Sequence, residues 1–214
     1  MQKLTFDISM SLDGFVAGPN AGPDNGLGDG GEQLHEWVTR LAVWREPHGK
    51  SGGETNRDSE IFEESQANVG ATIMGRRMFN GDQGPWGDEP SMGWWGDEPP
   101  FHMPVFVITH HPRETEQMQG GTSFTFITDG IEAALEQARA AAGDKDVFVA
   151  GGGSVIRQYL DAGLVDEFQV HVAPVLLGGG VRLFDNLREL PTLEVTRTVE
   201  SPAVTHLRYR VLKD

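Results

Sequence analysis

The first ten residues, MQKLTFDISM, alternate between apolar and polar side chains from Leu4 to Met10. A period of two residues predicts a β-strand with one buried face. The strand leads into SLDGFVAGPNAGPDNGLGDGG, whose glycines, prolines and aspartates predict a long loop. Loops of this length in a compact domain are usually functional or mobile.

The middle of the chain alternates between short apolar runs and helical periodicity. Leu34, Trp37, Val38 and Leu41 have helical spacing, and residues 58–68 predict a second helix. The later predicted strands lie at 71–75, 104–109, 124–128, 146–150 and around 168–172. The later predicted helices start at Arg76, run from an N-cap at Asp129 to Gly143, and span 154–163.

Strands that alternate with helices are typical of an α/β fold with parallel crossovers. Residues 193–212 instead predict two consecutive strands around Ser201 and Pro202, which indicates an antiparallel edge. We therefore predict a three-layer αβα sandwich with a mixed, mostly parallel sheet and antiparallel C-terminal edge strands. No composition shift divides the chain, so residues 1–214 are expected to form a single domain.

Composition narrows the class of protein. No run approaches the roughly 20 apolar residues of a membrane helix, and the N-terminus lacks the apolar centre of a signal peptide. There are no cysteines, so we expect a soluble cytoplasmic protein without disulfides or thiolate metal sites. Seventeen Lys and Arg residues against 32 Asp and Glu give a net charge of −15, which disfavours nucleic acid as a partner.

Three predicted strands end in residues that suit an anion. VFVAGGGSVIRQYL places three glycines and Ser154 before a helix, where free backbone N–H groups bind anions. IMGRRMF places Arg76 and Arg77 at a helix start, where the dipole opposes cations, and VFVITHHPR ends in hydroxyl, imidazole and guanidinium groups. Because ligands bind at the carboxyl ends of such strands, a phosphorylated ligand is predicted. Plain glycine turns and surface arginines are the alternative.

These motifs, in the order SLDGFVAG, IMGRRMF, VFVITHHPR, VFVAGGGSVIRQYL and VDEFQVHVAPVLLGGG, resemble the dihydrofolate reductase superfamily. The chain looks most like the branch that contains the reductase domain of riboflavin biosynthesis and its stand-alone relatives. The resemblance covers about residues 3–184. It implies a dihydrofolate reductase-like fold, NADPH as hydride donor and a small-molecule substrate, and it is compatible with a homodimer.

The resemblance also implies cofactor-binding residues. Arg76 after Gly75, with Arg77 as a second candidate, would hold the 2′-phosphate of NADPH, and Thr109 and His110 would line the adenosine end. The implied pyrophosphate cradle consists of Gly151, Gly152, Gly153, Ser154, Val155 and Ile156. The segment implied to approach the nicotinamide consists of Val16, Ala17 and Gly18.

Asp13 in SLDG would face the substrate and act as the catalytic acid, with its pKa raised because the loop and nearby tryptophans shield it. The alternative role for Asp13 is to close the turn before Gly14. Dihydrofolate reductases use a carboxylate on a helix, but the equivalent position here is Ser59, flanked by Asp58 and Glu60. This departure argues against folate as the substrate and leaves Asp58 and Glu60 as alternative proton donors.

The segment GDQGPWGDEPSMGWWGDEPPFHM holds three tryptophans, which indicate either a surface loop with rings tucked under it or an aromatic lid over a ligand. The seven histidines show no metal-ligand spacing, and no serine lies in a G-x-S-x-G elbow. We therefore predict no metal site. The predicted function is an NADPH-dependent reductase of a small heterocyclic or conjugated substrate, similar to 5-amino-6-(5-phosphoribosylamino)uracil reductase. The alternative is a non-catalytic NADP-binding or ligand-sequestering protein.

Overall fold

The computed structural model describes residues 2–87 and 93–213. The first acidic run of the tryptophan-rich segment, Asp88 to Pro90, lies outside the described residues. The strands are β1 Leu4–Ser11, β2 Phe15–Ala17, β3 Val69–Gly75, β4 Pro104–Ile108, β5 Glu116–Gln117, β6 Ser123–Ile127, β7 Asp146–Gly151, β8 Glu167–Ala173, β9 Val181–Arg182, β10 Thr192–Glu200 and β11 Thr205–Leu212. The α-helices are α1 Glu36–Thr39, α2 Ala42–Arg45, α3 Arg57–Gln66, α4 Arg76–Asn80, α5 Ile131–Ala142 and α6 Gly153–Asp161, with 3₁₀ turns at Gly31–His35, Glu46–His48 and Gln119–Gly121.

One mixed sheet organises the described chain, in the strand order β10-β11-β8-β1-β7-β3-β4-β6-β5. The five pairings from β8 through β1, β7, β3 and β4 to β6 are parallel. Strands β10 and β11 add antiparallel to β8 at one edge, and the short β5 adds antiparallel to β6 at the other. The predicted fold class, including the antiparallel C-terminal edge, is confirmed.

Helices cover both faces of this sheet, which makes three layers. Helices α5 and α6 bury one face through a large apolar cluster that includes Ile73, Val149 and Ile156. On the other face, Phe79 of α4 packs on the β3–β4–β6 half of the sheet, and Trp37 of α1 lies in a separate cluster near the C-terminal strands. No helix within residues 2–87 and 93–213 is long and apolar enough to cross a membrane.

The helical spacing from Leu34 to Leu41 is confirmed as far as Thr39, as a 3₁₀ turn followed by the four-residue α1, and Leu41 lies beyond the end of this helix. One local prediction is wrong. Helix α5 has Gly130 as its N-cap and no side-chain cap, so Asp129 is one residue too early. The predicted end of α5 at Gly143 is confirmed.

Candidate functional site

The carboxyl ends of β7, β3 and β4 lie side by side, because these strands are parallel neighbours in the sheet. The glycine triplet at residues 151–153, which follows β7, therefore lies against the start of α4, which follows β3. A Cβ atom added to Gly75 would come within 2.8 Å of Val155 Cγ2 and 3.9 Å of the Gly152 nitrogen. Gly75 is therefore required by the close approach of the two strand-to-helix junctions.

The three glycines of the triplet have three different surroundings. Gly151 has φ of +138°, which favours glycine, and a Cβ there would lie 3.1 Å from the Met78 sulfur. A Cβ on Gly153 would lie 3.1 Å from Val16 Cγ2. Gly152, at φ −76°, faces open space with no atom within 4 Å of its Cβ position. Packing explains Gly151 and Gly153, whereas no packing contact requires a glycine at Gly152, and its backbone is open to a ligand.

Helix α6 starts at the triplet, with Gly152 as its N-cap. The Val155 and Ile156 nitrogens donate to the Gly152 carbonyl at 2.9 and 3.2 Å, and Ile156 is fully buried in the core. These two N–H groups are therefore not available to an anion. Of the residues predicted to bind the pyrophosphate, the backbone of Gly152, Gly153 and the exposed Ser154 remains as the candidate.

Arg76 is buried at the start of α4, with a 5% exposed surface, and lies 3.6 Å above the ring of Trp86. Its Nε and Nη1 atoms have no hydrogen-bond partner among the described residues. Burial lowers the pKa of Arg76, the Asp82 charge opposes this shift, and the Arg113 charge adds to it. A buried guanidinium is normally paired, so this arrangement fits an anionic ligand.

A second cation lies on the same ring. The Arg113 guanidinium is 4.6 Å from the Trp86 ring, and its partner Glu116 is 3.2 Å away. The Trp86 indole N–H donates to the carbonyl of His111 at 3.0 Å, which fixes the ring between the two arginines. In the sequence, Arg113 is recognisable only as part of a strand end, and no local pattern places Trp86 beside it.

The other residues predicted for the adenosine end differ in exposure. Thr109 is buried, and its hydroxyl oxygen accepts from the His111 nitrogen at 3.2 Å, which shapes the turn after β4. The strand ends at Ile108, so His110 lies in this turn, not on the strand, and is exposed. Arg77 is also exposed, and it lines a cleft between the start of α4 and the 3₁₀ turn after α2.

The segment Val16–Gly18 lies against the glycine triplet through the contact of Val16 with Gly153. Ala17 pairs with Val181 of β9, and the Gly18 nitrogen donates to the Leu27 carbonyl at 2.8 Å. A side chain on Gly18 would overlap the backbone of the long loop at Asp29. The structure thus brings the residues predicted for the nicotinamide and for the pyrophosphate together, and it explains Gly18 by packing within the loop.

Asp13 fastens a distant loop. Its carboxylate accepts from the backbone nitrogens of Leu177 and Gly178 at 3.1 and 2.8 Å. The Ser11 hydroxyl and these N–H groups lower the pKa of Asp13 to about 2. The expectation that the pKa of Asp13 is raised is wrong, because hydrogen bonds to the ionised carboxylate stabilise it.

Of the three residues at the start of α3, Asp58 and Ser59 are buried and Glu60 is exposed. The Asp58 carboxylate lies 3.0 Å from His206 Nε2 and accepts from the Ser201 hydroxyl at 3.1 Å. Ser59 completes a capping box with Asn56, and Glu60 is exposed and pairs with Arg57. His206 was not predicted, because it comes from β11, 148 residues along the chain from Asp58.

A cleft of about 960 Å³ lies between the start of α4 and the 3₁₀ turn after α2, beside Gly26 and Leu27 of the long loop. Trp94 is 46% exposed at its wall, whereas Trp86 and Trp95 pack against the apolar cluster under α4. The packing of Trp86 and Trp95 agrees with rings tucked under a surface loop, whereas the aromatic lid stays a prediction, with Trp94 as its candidate. The lining residues are Gly26, Leu27, Glu46, Pro47, His48, Gly49, Arg77, Met78, Trp94, Trp95, Gly96, Glu98, Pro100 and His102.

The strand order and the junctions at the strand ends define a dihydrofolate reductase-like domain. The solved structures of a riboflavin biosynthesis protein from Shewanella sp. PV-4 (TM-score 0.63, 20% identity, 99% of this chain and 100% of that one) and of Enterococcus faecalis dihydrofolate reductase complexed with NADP(H) (TM-score 0.52, 14% identity, 99% and 97%) share this fold. The family model of the RibD C-terminal domain matches residues 2–207, and the chain belongs to that family. YyaP of Bacillus subtilis (strain 168) is 23% identical over 207 residues, 95% of this chain and 92% of its own length.

Proposed function

We propose that this protein is an NADPH-dependent reductase of a small heterocyclic or conjugated substrate. The observation that carries the proposal is the buried Arg76 guanidinium, two of whose nitrogen atoms have no hydrogen-bond partner among the described residues; it follows Gly75, which lies against Gly152. Membership of the RibD C-terminal domain family supports a reductase. The NADP(H) bound to the structurally similar Enterococcus faecalis enzyme supports the choice of cofactor.

The residues present fit NADPH along the strand ends. Arg76, stacked on Trp86, would hold the 2′-phosphate through charge-assisted hydrogen bonds, and Thr109 and His110 would border the adenosine. The backbone of Gly152 to Ser154 would face the pyrophosphate. Val16 to Gly18 would border the nicotinamide, whose chemistry is the transfer of a hydride. The protein's part is to bind, orient and exclude water, which requires few catalytic side chains.

The competing function is a non-catalytic NADP-binding or ligand-sequestering protein, and one observation favours it. Asp13, the acid suggested by the resemblance, has a lowered pKa and is tied to Leu177 and Gly178, which makes it a poor proton donor near neutral pH. We therefore propose a structural role for Asp13, which holds the loop at Leu177 and Gly178, in place of the catalytic one. NADPH oxidation against a panel of pterins, pyrimidines and flavins separates the two functions, because only a reductase turns over.

The assignment of Arg76 is tested by the preference for NADPH over NADH. We expect Arg76→Ala to remove a preference of roughly 10- to 100-fold and to leave NADH affinity almost unchanged. Arg77→Ala is the matched control, because Arg77 is the exposed neighbour and should leave the preference intact. Calorimetry that shows an equal loss of both nucleotides in Arg76→Ala, or a lost preference only in Arg77→Ala, would reject the assignment.

A further inference from the structure

Arg76 is in direct contact with the ring of a tryptophan. Its guanidinium carbon lies 3.6 Å from the centre of the Trp86 ring, and its Nε and Nη1 atoms have no hydrogen-bond partner among the described residues. The charge of Asp82 acts on Arg76, but one oxygen of the Asp82 carboxylate accepts from the Gln83 and Gly84 nitrogens at 2.6 and 2.9 Å. The stacked ring is therefore a contact that orients the guanidinium while leaving these two donor atoms unused.

The Trp86 ring is itself held by contacts that do not involve Arg76. Its indole N–H donates to the His111 carbonyl at 3.0 Å. The rings of Phe126 and Phe79 meet it edge-on, at centroid distances of 5.2 and 6.1 Å. Because these contacts come from the turn after β4, from β6 and from α4, the ring offers Arg76 the same surface before and after a ligand binds.

The ring also offsets an electrostatic cost of placing Arg76 at this position. Burial lowers the pKa of Arg76, and the charge of Arg113 lowers it further. The Arg113 guanidinium lies 4.6 Å from the centre of the same ring. The π-face of tryptophan attracts cations, and the attraction is stronger when the cation is removed from water. Trp86 therefore favours a charged Arg76 in a site that no phosphate has yet entered.

From these contacts we propose that Trp86 is a positioning residue for cofactor choice, which holds Arg76 in the orientation that binds a 2′-phosphate and makes no contact with the nucleotide itself. The proposal rests on the proposed function, since it takes Arg76 to be the ligand of the 2′-phosphate. The ring surface under the Arg76 guanidinium is closed to an adenine base, so Trp86 acts through Arg76. A cation that is oriented beforehand loses less conformational freedom on binding, which raises the affinity for the phosphate.

The test uses adenosine 2′,5′-bisphosphate and 5′-AMP as probes, because they differ only in the 2′-phosphate. Each is titrated by calorimetry into the full chain, and the ratio of the two affinities is the readout. We expect the wild type to prefer the bisphosphate roughly 10- to 100-fold. Trp86→Leu should lower this ratio about 3- to 10-fold and leave the affinity for 5′-AMP unchanged, because only the contact with the cation is lost. Trp86→Phe, which keeps a weaker aromatic face, should lower it about 2- to 3-fold.

Trp95→Leu and Trp95→Phe are the matched controls. Trp95 packs against the same apolar cluster as Trp86, and its indole N–H donates to the Phe79 carbonyl at 3.1 Å. The ring that Arg76 contacts is that of Trp86. Both controls should keep the wild-type ratio, even where they lower the melting temperature. A ratio that falls equally in Trp86→Leu and Trp95→Leu would show a general loosening of the cluster and overturn the proposal. If Trp86→Leu does not fold, the same comparison between Trp86→Phe and Trp95→Phe decides.

A double-mutant cycle with Arg76→Ala shows whether Trp86 acts through Arg76. In the Arg76→Ala background, Trp86→Leu should cause no further fall in the ratio. A further fall there, or an equal loss of both probes in Trp86→Leu alone, would mean that Trp86 contacts the nucleotide, and the proposal would be wrong. A ratio that is lost in Arg76→Ala but intact in Trp86→Leu overturns the role of Trp86 while the assignment of Arg76 stands. A wild type that binds both probes equally overturns the assignment of Arg76, and this proposal with it.

Discussion

The Nδ1 atoms of His171 and His206 lie 2.7 Å apart in the interior, on the paired strands β8 and β11. His206 Nε2 faces the Asp58 carboxylate at 3.0 Å, so it donates, and a neutral His206 then accepts at Nδ1 from His171. His171 Nε2 is left 3.9 Å from Asp7. The Trp37 ring lies 4.6 and 5.1 Å from the two imidazoles. The two Nδ1 atoms thus cannot both carry a proton, because two donors would then face each other at 2.7 Å.

The first prediction is that protein stability falls below neutral pH because of this pair. Burial, followed by the charge of His206, places the pKa of His171 well below 6.5, and burial also lowers that of His206. A histidine whose pKa is lower in the folded state contributes stability that is present above its unfolded pKa of about 6.5. This stability is lost as the pH falls through the folded-state pKa. His171→Asn should reduce the slope of unfolding free energy against pH by up to about 1.4 kcal/mol per unit, measured by urea unfolding between pH 8 and 5.

The matched control is His110→Asn, since His110 is exposed. This variant should keep the wild-type slope. Parallel stability curves for the wild type and His171→Asn would contradict the neutral-pair assignment, whatever the absolute stability of the variant.

The second prediction concerns Asp7, whose carboxyl is 17% exposed. Burial raises the pKa of Asp7 to about 6, although Ser65, Arg208 and Gln169 oppose the shift. A raised pKa contributes stability that is fully present below about 3.8 and lost as pH rises through about 6. The change in the free energy of unfolding caused by Asp7→Asn should therefore be more stabilising at pH 8 than at pH 4, by roughly 2–3 kcal/mol.

Chemical unfolding at the two pH values measures this difference, and Asp144→Asn serves as the exposed control. A variant that is equally or more destabilised at pH 8 would show that the ionised carboxylate of Asp7 has a favourable partner in the folded protein.

The third prediction uses the difference between Gly151 and Gly152. Because the Cβ position of Gly152 faces open space, Gly152→Val should fold and lose NADPH binding by steric block. Gly151→Ala should lower the melting temperature more, since Gly151 has φ of +138° and contacts Met78. Thermal unfolding and nucleotide calorimetry measure both effects. If a folded fraction of Gly152→Val binds NADPH normally, the triplet is only a structural turn.

The fourth prediction is that Asp13 acts through structure. Asp13→Asn should lower the melting temperature at pH 7, because the carboxylate that accepts from Leu177 and Gly178 becomes an amide. The lowered pKa contributes stability that is present above about 3.8 and lost as pH falls through about 2, so the two melting temperatures should converge over that range.

Turnover per folded molecule should stay close to the wild-type value in Asp13→Asn. This is measured as NADPH oxidation with an acceptor that the wild type reduces. A loss of roughly 10²- to 10⁴-fold in turnover, with unchanged NADPH affinity, would instead make Asp13 the catalytic acid.

Much of the fold follows from local patterns in the sequence. The alternation from Leu4 to Met10 and the strand–glycine–helix junctions at Gly75 and Gly151 depend on neighbours within a few residues, so they can be read without the structure. The same holds for the two strands around Ser201 and Pro202. These signals predicted the α/β class, the antiparallel edge and the chemical character of the strand ends.

The tertiary structure decided the surroundings of each residue at those ends. Three consecutive glycines look alike in sequence, but only contacts from Met78 and Val16 separate Gly151 and Gly153 from Gly152. Arg76 and Arg77 are likewise adjacent, yet one is buried on Trp86 and the other is exposed.

The buried contacts among Asp58, His171 and His206 show most clearly what local sequence patterns do not predict. Asp58, His171 and His206 meet because α3 packs beside β11 and because β11 pairs with β8 in one register, where His206 is opposite His171. No local period reveals this, since the partners are 35 and 148 residues apart. Sequence determined which elements form, because that depends on short-range propensity and burial period. Register and packing, which depend on long-range contacts, decided which side chains became partners.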